Sequence, residues 1–341
     1  NTSGVQNSAF GFQALKLNTT GINNTAMGFL SQEMNTGSAN TSYGSEALRY
    51  NTAGDANTAI GRSAMFFNTI GDYNVSIGDE SMVANTSGTG NVAVGHSALL
   101  SNTTGTHNIA VGRGALNNNT TVDKLVAVGY YSLGSNTSGM FNTAIGYLAL
   151  HDNTIAHFNT AVGSEALANN TIGQRNVAVG DSALFYNING DGNTSIGSQS
   201  LVKNTTGNGN TAIGSQAMGD NTTGGGNTCL GAIVLQRNTT GTYNLSVGHS
   251  NMVFNTTGSF NVALGPSTLH DNIVGSENVA IGRSALFNNL TSGLTACGTY
   301  ALFGNTSGTQ NAAFGYSALK SNTTGSNNTA TDPHQLVIHQ P

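Results

Sequence analysis

The residues able to do chemistry are few. The chain has 15 Asp and Glu, 10 Lys and Arg, eight His and two Cys among 341 residues. General acid–base or glycosidic catalysis needs two carboxylates held near one another. Here Asp79 and Glu80 are sequence neighbours and read as a solvated turn. His151 and His157 could approach across one turn, but they have no adjacent acid set with metal-ligand spacing. The serines lack an attached His and Asp pattern. Gly88/Gly90 and Gly207/Gly209 lack the third glycine of a phosphate cradle and read as turn chemistry. Cys229 and Cys297 are too few for a disulfide framework or a zinc site. The expectation is a chain that is not an enzyme and takes no metal and no cofactor.

Charged residues make up 7% of the chain, against roughly 25% in a typical soluble domain. At 37% hydrophobic the chain is too apolar for a charge-extended tail, and solubility falls to Asn and Thr. The net charge of -5 contains no basic run able to neutralise a phosphate backbone, so no nucleic-acid partner is expected. Apolar stretches of a few residues are far below the roughly 20 needed for a membrane span. The chain begins Asn1-Thr2-Ser3-Gly4 without an apolar signal core, which reads as processing or as part of something longer.

What positions these residues is one repeat. Asn85-Thr-Ser-Gly-Thr-Gly-Asn91-Val-Ala-Val-Gly95-His-Ser-Ala98-Leu99-Leu-Ser is followed by Asn102-Thr-Thr-Gly-Thr-His-Asn108-Ile-Ala-Val-Gly112, with a period of 17 residues. Nineteen full copies start at Asn1, Asn18, Asn35 and onward to Asn305, and a twentieth starts at Asn322; those from Asn35 and Asn289 are one residue short. Position 1 is Asn throughout, position 7 is Asn in eighteen copies, and position 11 is Gly in all full copies. Position 9 is Ala, Ser or Cys; position 10 is apolar; position 15 is Leu or Met except at Gln32. Positions 5, 6, 12, 13, 16 and 17 vary and read as unconstrained. The pattern predicts a short strand at positions 7 to 10, a glycine turn, an Ala-Leu segment and an Asn-Thr-x-Gly turn.

Seventeen residues cannot bury a core of their own. Burying positions 10 and 15 contributes about 1.5–3 kcal/mol each, whereas ordering the backbone costs roughly 1–2 kcal/mol per residue. Stacking resolves this, because each strand then pairs with its copies at about 4.8 Å. The expected fold is all-β, a parallel β-solenoid (β-roll) of about 20 coils over residues 1–328, on the order of 95 Å long. Residues 329–341 break the template. Positions 8 and 10 point one way and position 9 the other, and none is charged. A strand apolar on both faces is usually buried on both, so the second face is expected to meet another copy in a homotrimer or other parallel oligomer.

Asn-Val-Ala-Val-Gly-x-x-Ala-Leu, present at Asn91–Leu99 and nearly at Asn176–Leu184 and Asn278–Leu286, resembles the head repeat of YadA-type trimeric autotransporter adhesins. The longer Asn-Thr-Thr-Gly-x-x-Asn-Thr-Ala-x-Gly form is similar to arrays in phage tail-fibre-like proteins. Nearly the whole chain is covered. The resemblance implies a trimeric β-roll displayed as a surface fibre.

The invariant asparagines invite two readings. Stacked amides, among them Asn18, Asn85, Asn102, Asn136, Asn204, Asn238 and Asn255, could hydrogen-bond along the stack as a ladder. There are also 21 Asn-x-Ser/Thr sequons, and Asn18, Asn85, Asn102, Asn204, Asn221, Asn238 and Asn255 are candidate N-glycosylation sites. Position 1 stays Asn where no sequon exists, as at Asn35 and Asn51, so the ladder explains more of the column. The Thr column at position 2 raises an ice-binding or glycan-binding face as an alternative, weakened because position 3 includes Ile70, Ile155 and Val274.

Solenoid ends are open sheet edges. The repeat begins at residue 1, whereas Leu336, Val337 and Ile338 read as an aperiodic strand that could cap the last coil, begin another module or add to the next subunit. The composite expectation is a non-enzymatic structural fibre segment, extracellular on a cell or virion surface. It would assemble with itself in parallel or head to tail, and be used in adhesion to a host surface receptor or glycan.

Overall fold

Each coil turns because three of its non-strand positions adopt left-handed backbone. In the coil from Asn85 these are Gly90 (φ 69°), Ser97 (φ 55°) and Leu99 (φ 53°), and the same columns hold Tyr73, Glu80 and Met82 one coil earlier at φ 49–56°. A left-handed L-residue costs about 1–2 kcal/mol. At position 15 this is offset by burial, since Leu99 and Met82 are both fully buried. Position 11 has a different reason to be glycine: Gly95 sits at φ 132°, and a Cβ there would lie 2.7 Å from the carbonyl carbon of Gly112 in the next coil. No side chain fits at that spacing.

The computed structural model describes residues 3–332 and 337–338. The chain comprises two units, Asn1–Ile172 and Gly173–Pro341, each an all-β parallel solenoid with a spacing of about 17 residues. The first carries β1 (Ser8–Phe10) through β10 (Thr160–Val162). The second carries β11 (Val177–Val179) through β20 (Asn328–Ala330) and a short β21 (Val337–Ile338). No helix occurs among the described residues. Strands occupy positions 8 to 10 and pair in parallel with columns in register, as in Val92↔Ile109, Ala93↔Ala110 and Val94↔Val111. Backbone bonds to both neighbouring coils satisfy the rest of the turn: Gly95 N–H donates to Ile77 O at 2.7 Å, and Leu99 N–H to Ala115 O at 2.9 Å.

The interior corrects one expectation. Position 10 was expected in the core, yet Ile60, Ile145 and Ile196 are 38–40% exposed and Tyr43 is 58% exposed. Position 9 points inward instead: Ala93, Ala144, Ser195 and Cys229 are fully buried. Position 9 is held to small side chains beside the two Asn side chains, and larger residues occur inside at positions 14 and 15, as Val234 and Leu99. The usual contents of a coil are Ala at 9, Ala at 14, Leu or Met at 15, and Asn at 1 and 7, for example Ala93, Ala98, Leu99, Asn85 and Asn91, all 0% exposed.

Some polar exceptions in this interior pair with one another, while Ser132 and Thr268 bond backbone carbonyls instead. Ser76 and Ser81, at positions 9 and 14 of one coil, share a hydroxyl hydrogen bond, as do Ser195 and Ser200. Gln32 replaces the usual Leu, and its Nε2 donates to Thr25 O at 2.9 Å and Ser42 Oγ at 2.9 Å. Both short coils lose position 3: Asn35 Nδ2 reaches Gly37 O at 3.0 Å and Asn289 Nδ2 reaches Thr291 O at 2.7 Å, two residues away rather than three.

At the C-terminal end, β21 runs antiparallel to β20, pairing Val337 with Thr329 and Ile338 with Asn328. Of the three residues expected as an assembly strand, Val337 and Ile338 thus pair within their own chain, and Leu336 lies outside the described residues. No helix among the described residues is long and apolar enough to cross a membrane.

Candidate functional site: two amide columns and an apolar strand face

Position 1 builds a hydrogen-bond column that runs unbroken from Asn187 to Asn322 in the second unit and in the first is interrupted between Asn119 and Asn136. Asn85 Nδ2 donates to Asn68 Oδ1 at 2.7 Å and to Gly88 O at 3.1 Å, and Asn102 Nδ2 donates to Asn85 Oδ1 at 2.9 Å. In the second unit Asn204 donates to Asn187, Asn221 to Asn204, Asn238 to Asn221 and Asn255 to Asn238, all at 2.8–2.9 Å. Asn136 Nδ2 donates to Gly139 O at 3.1 Å and its Oδ1 accepts from Asn153 at 3.0 Å. At Asn18, Nδ2 donates to Gly21 O at 3.1 Å and Oδ1 accepts the Gly21 N–H at 2.9 Å. Six of the seven asparagines expected in a ladder make amide–amide bonds between coils, and the bonds described at Asn18 both stay within its own turn.

A second column, at position 7, escaped the sequence reading although its Asn count announced it. Asn91 is bonded on both sides: its N–H and Nδ2 donate to Asn74 Oδ1 at 2.9 and 3.2 Å, its Nδ2 also donates to Gly105 O at 2.8 Å, and its Oδ1 accepts the Asn108 N–H at 2.9 Å. Where the preceding coil has Asn at position 7, the position-4 carbonyl is thus shared by both columns. Where Leu125 replaces Asn, its N–H still donates to Asn108 Oδ1 at 2.9 Å, but Asn119 Oδ1 in the same coil is left buried without a hydrogen-bond partner.

Burial overturns the glycosylation reading at Asn18, Asn85, Asn102, Asn204, Asn221, Asn238 and Asn255. These side chains are 0–1% exposed and their Nδ2 atoms are spent on ladder and carbonyl bonds. A glycan on that nitrogen would have to pass through the wall of the coil.

Two other columns carry structural duties. Position-2 hydroxyls donate to the backbone of the next coil, as Thr86 Oγ1 to Thr103 O at 3.0 Å and Thr222 Oγ1 to Thr239 O at 3.0 Å. Position 5, read as unconstrained, supplies acceptors to the preceding coil. Asp55 Oδ1 accepts the Ser38 N–H at 2.7 Å, Asp72 Oδ1 the Asp55 N–H at 2.7 Å, and Ser276 Oγ the Ser259 N–H at 3.0 Å. The signal was there: Asp, Ser, Thr and Asn dominate the column because their acceptor lies close to the backbone.

The titratable side chains form surface pairs. Arg62 holds Asp79 at 3.0 Å and Glu80 at 2.8 Å, and hydrogen bonds to Glu80 and Asp79 raise the Arg62 pKa. His151 Nδ1 meets Asp152 Oδ1 at 2.7 Å, an arrangement repeated by His270 and Asp271 in the second unit. His157 is engaged elsewhere, its Nδ1 accepting the Met140 N–H at 2.9 Å. Gly88 and Gly207 serve as carbonyl acceptors for the ladders, while Gly90 and Gly209 take left-handed backbone. Cys229 lies inside, where burial pushes its thiol pKa far above the ordinary range, and Cys297 lies outside at position 10.

What remains outward is the strand face. Positions 8 and 10 form two parallel ranks, with Val126/Val128 and Thr143/Ile145 in the first unit and Thr194/Ile196 and Thr228/Leu230 in the second. Neither rank carries a charge anywhere in the sequence. Aromatic and ion-pair clusters instead gather on positions 6, 12, 13, 16 and 17, such as Phe141 stacked on Phe158 at 5.2 Å, Tyr130 on Tyr147 at 5.4 Å and His270 on Phe287 at 4.7 Å. The sequence matches no protein-family model and no curated protein.

Proposed function

We propose that the chain is a structural segment of a surface-displayed extracellular fibre that associates with parallel copies of itself through the strand face. The observation that carries this reading is the pair of uncharged outward ranks at positions 8 and 10. An apolar rank at position 10, flanked mainly by Thr or aliphatic side chains at position 8, is the kind of patch that marks an interaction site, and a partner with the same repeat would present ranks of matching pitch. The interior supports a structural role as well: its most constrained residues, the two Asn columns, are spent on holding coils together. The chemically varied positions 12, 16 and 17 are then left to meet a host receptor or glycan.

Electron microscopy and sedimentation of the purified protein at several dilutions test this. Filaments or discrete oligomers that persist on dilution are expected. A 34.7 kDa monomer at micromolar concentration would remove the proposal.

One observation favours a second reading. Thr194, Thr211 and Thr228 stand consecutively at position 8 beside Ile196, Ile213 and Leu230, giving two side-by-side ranks on one sheet. A monomer that shows thermal hysteresis would make ice the ligand of this face.

A further inference from the structure

The fold sorts the 21 sequons sharply. In fifteen of them the acceptor asparagine belongs to one of the two amide columns and is 0–1% exposed, as at Asn40, Asn74, Asn193 and Asn244 in position 7 and Asn85 or Asn204 in position 1. Three others are exposed: Asn23, Asn118 and Asn327, each in an Asn-Asn-Thr sequence whose second Asn is itself a column residue. We infer that the folded protein admits N-linked glycans at Asn23, Asn118 and Asn327, whereas a glycan on a column asparagine prevents the coil from closing.

The neighbours in each column show that these three sites open outward. Asn23 and Asn327 occupy position 6, with φ 60° and 61°; the same column projects Tyr73 at 69% exposure and Tyr243 at 63%. Asn118 occupies position 17, where Phe67 and Tyr186 are 49% and 52% exposed. A column that carries a ring into solvent has room for a sugar. At position 1 the nitrogen has neither room nor a free hydrogen bond: Asn204 Nδ2 is held by Asn187 Oδ1 at 2.8 Å and Gly207 O at 3.0 Å.

The modification itself needs a polyisoprenyl-diphosphate-linked oligosaccharide and a transferase. The Asn Nδ2–C1 bond forms, the C1–O bond to the diphosphate breaks, the diphosphate leaves and one Nδ2 proton passes to a base. The unfolded chain offers both classes of sequon to such an enzyme, so modification competes with folding.

The test is secretion of the full chain, behind an added signal, from a host that N-glycosylates. The soluble protease-resistant fraction is separated from the aggregate, and glycopeptides are mapped by mass spectrometry. Glycan at Asn23, Asn118 and Asn327 is expected in the resistant fraction, with glycan at Asn85, Asn204 or Asn238 confined to the aggregate. Removing column sequons without touching the ladder, by Thr206→Ala, Thr223→Ala and Thr240→Ala, should raise the resistant yield several-fold. Glycosylated Asn85, Asn204 or Asn238 in the resistant fraction would overturn the inference. So would a resistant fraction in which Asn23, Asn118 and Asn327 are all bare.

Discussion

Asn74 and Asn85 donate to the same atom: their Nδ2 groups reach the carbonyl oxygen of Gly88 at 2.8 and 3.1 Å, from the coil before and from the same coil. This shared acceptor ties the two amide columns into one network, so the loss of either side chain is felt by both.

Asn85→Ala removes two donated bonds and leaves Asn102 Nδ2 without its 2.9 Å acceptor. A buried polar group left unpaired costs about 1–3 kcal/mol, so a destabilisation of at least about 2 kcal/mol is expected in urea denaturation. Asn85→Asp should cost more, because it buries a carboxylate whose column partner offers no cation.

Ser76 and Ser81 make the opposite case. Each keeps a backbone acceptor if the other is removed, Ser81 O for Ser76 at 3.0 Å and Gly78 O for Ser81 at 3.1 Å. Ala occupies both positions in neighbouring coils, as Ala93 and Ala98. The double variant Ser76→Ala/Ser81→Ala is therefore expected within about 1 kcal/mol of the parent, measured by the same denaturation.

Glycines at two columns should respond differently. Gly95→Ala places a Cβ 2.7 Å from the next coil's backbone at φ 132°, and loss of soluble protein is expected. Gly209→Asn sits at φ 65° with open space around the new Cβ, in a column that elsewhere accepts Asn327 at φ 61°. Its midpoint in thermal melting should stay close to the parent's, since Asn tolerates this backbone region.

Cys229 gives the protein an alkaline limit. Burial raises its pKa in the folded state above the unfolded value of about 8.5, so the folded state binds the proton more tightly. Its stabilising contribution is fully present below that pH and is lost as pH rises, by up to about 1.4 kcal/mol per pH unit. Cys229→Ala, the residue found at the paired Ala212, should flatten the stability profile above pH 8.5. Thiol labelling of the native protein should modify Cys297 and spare Cys229 until unfolding.

The strand face can be tested by charge. Ile145→Lys and Ile196→Lys alter side chains that are 40% and 38% exposed, so far-UV circular dichroism should be unchanged. Sedimentation velocity should show the oligomer dissociating toward monomer. Cys297, outward in the same rank, should cross-link copies under mild oxidant if they meet in parallel register.

The period, the glycine at position 11, the inward Leu column and the need for stacking were all legible, because each depends on repetition alone. The direction of the strand was not, since alternation places Val92 and Val94 together without saying which side is wet. Tolerance of bulk held the answer. Position 10 accepts Val94, Tyr43 and Phe314, whereas position 9 never exceeds the size of Ala, Ser or Cys, and only an enclosed site is so strict. The left-handed backbone at Leu99 had no signal, because nothing in a Leu announces positive φ. Position 5 was missed for a subtler reason: its acceptors serve the backbone of another coil, a partner 17 residues away that no local pattern reveals.

In both short coils the missing residue is position 3, between the two columns, and the bond from position 1 to the position-4 carbonyl survives. The other inter-coil bonds connect each column to a fixed column of the neighbouring coil, as position 11 to 10 and position 7 to 4. Gain or loss of a whole coil therefore replaces each partner with one of the same kind. A frame-preserving deletion elsewhere in the coil would misalign both columns at once. Length is thus the dimension this architecture leaves free, while the two columns fix the cross-section.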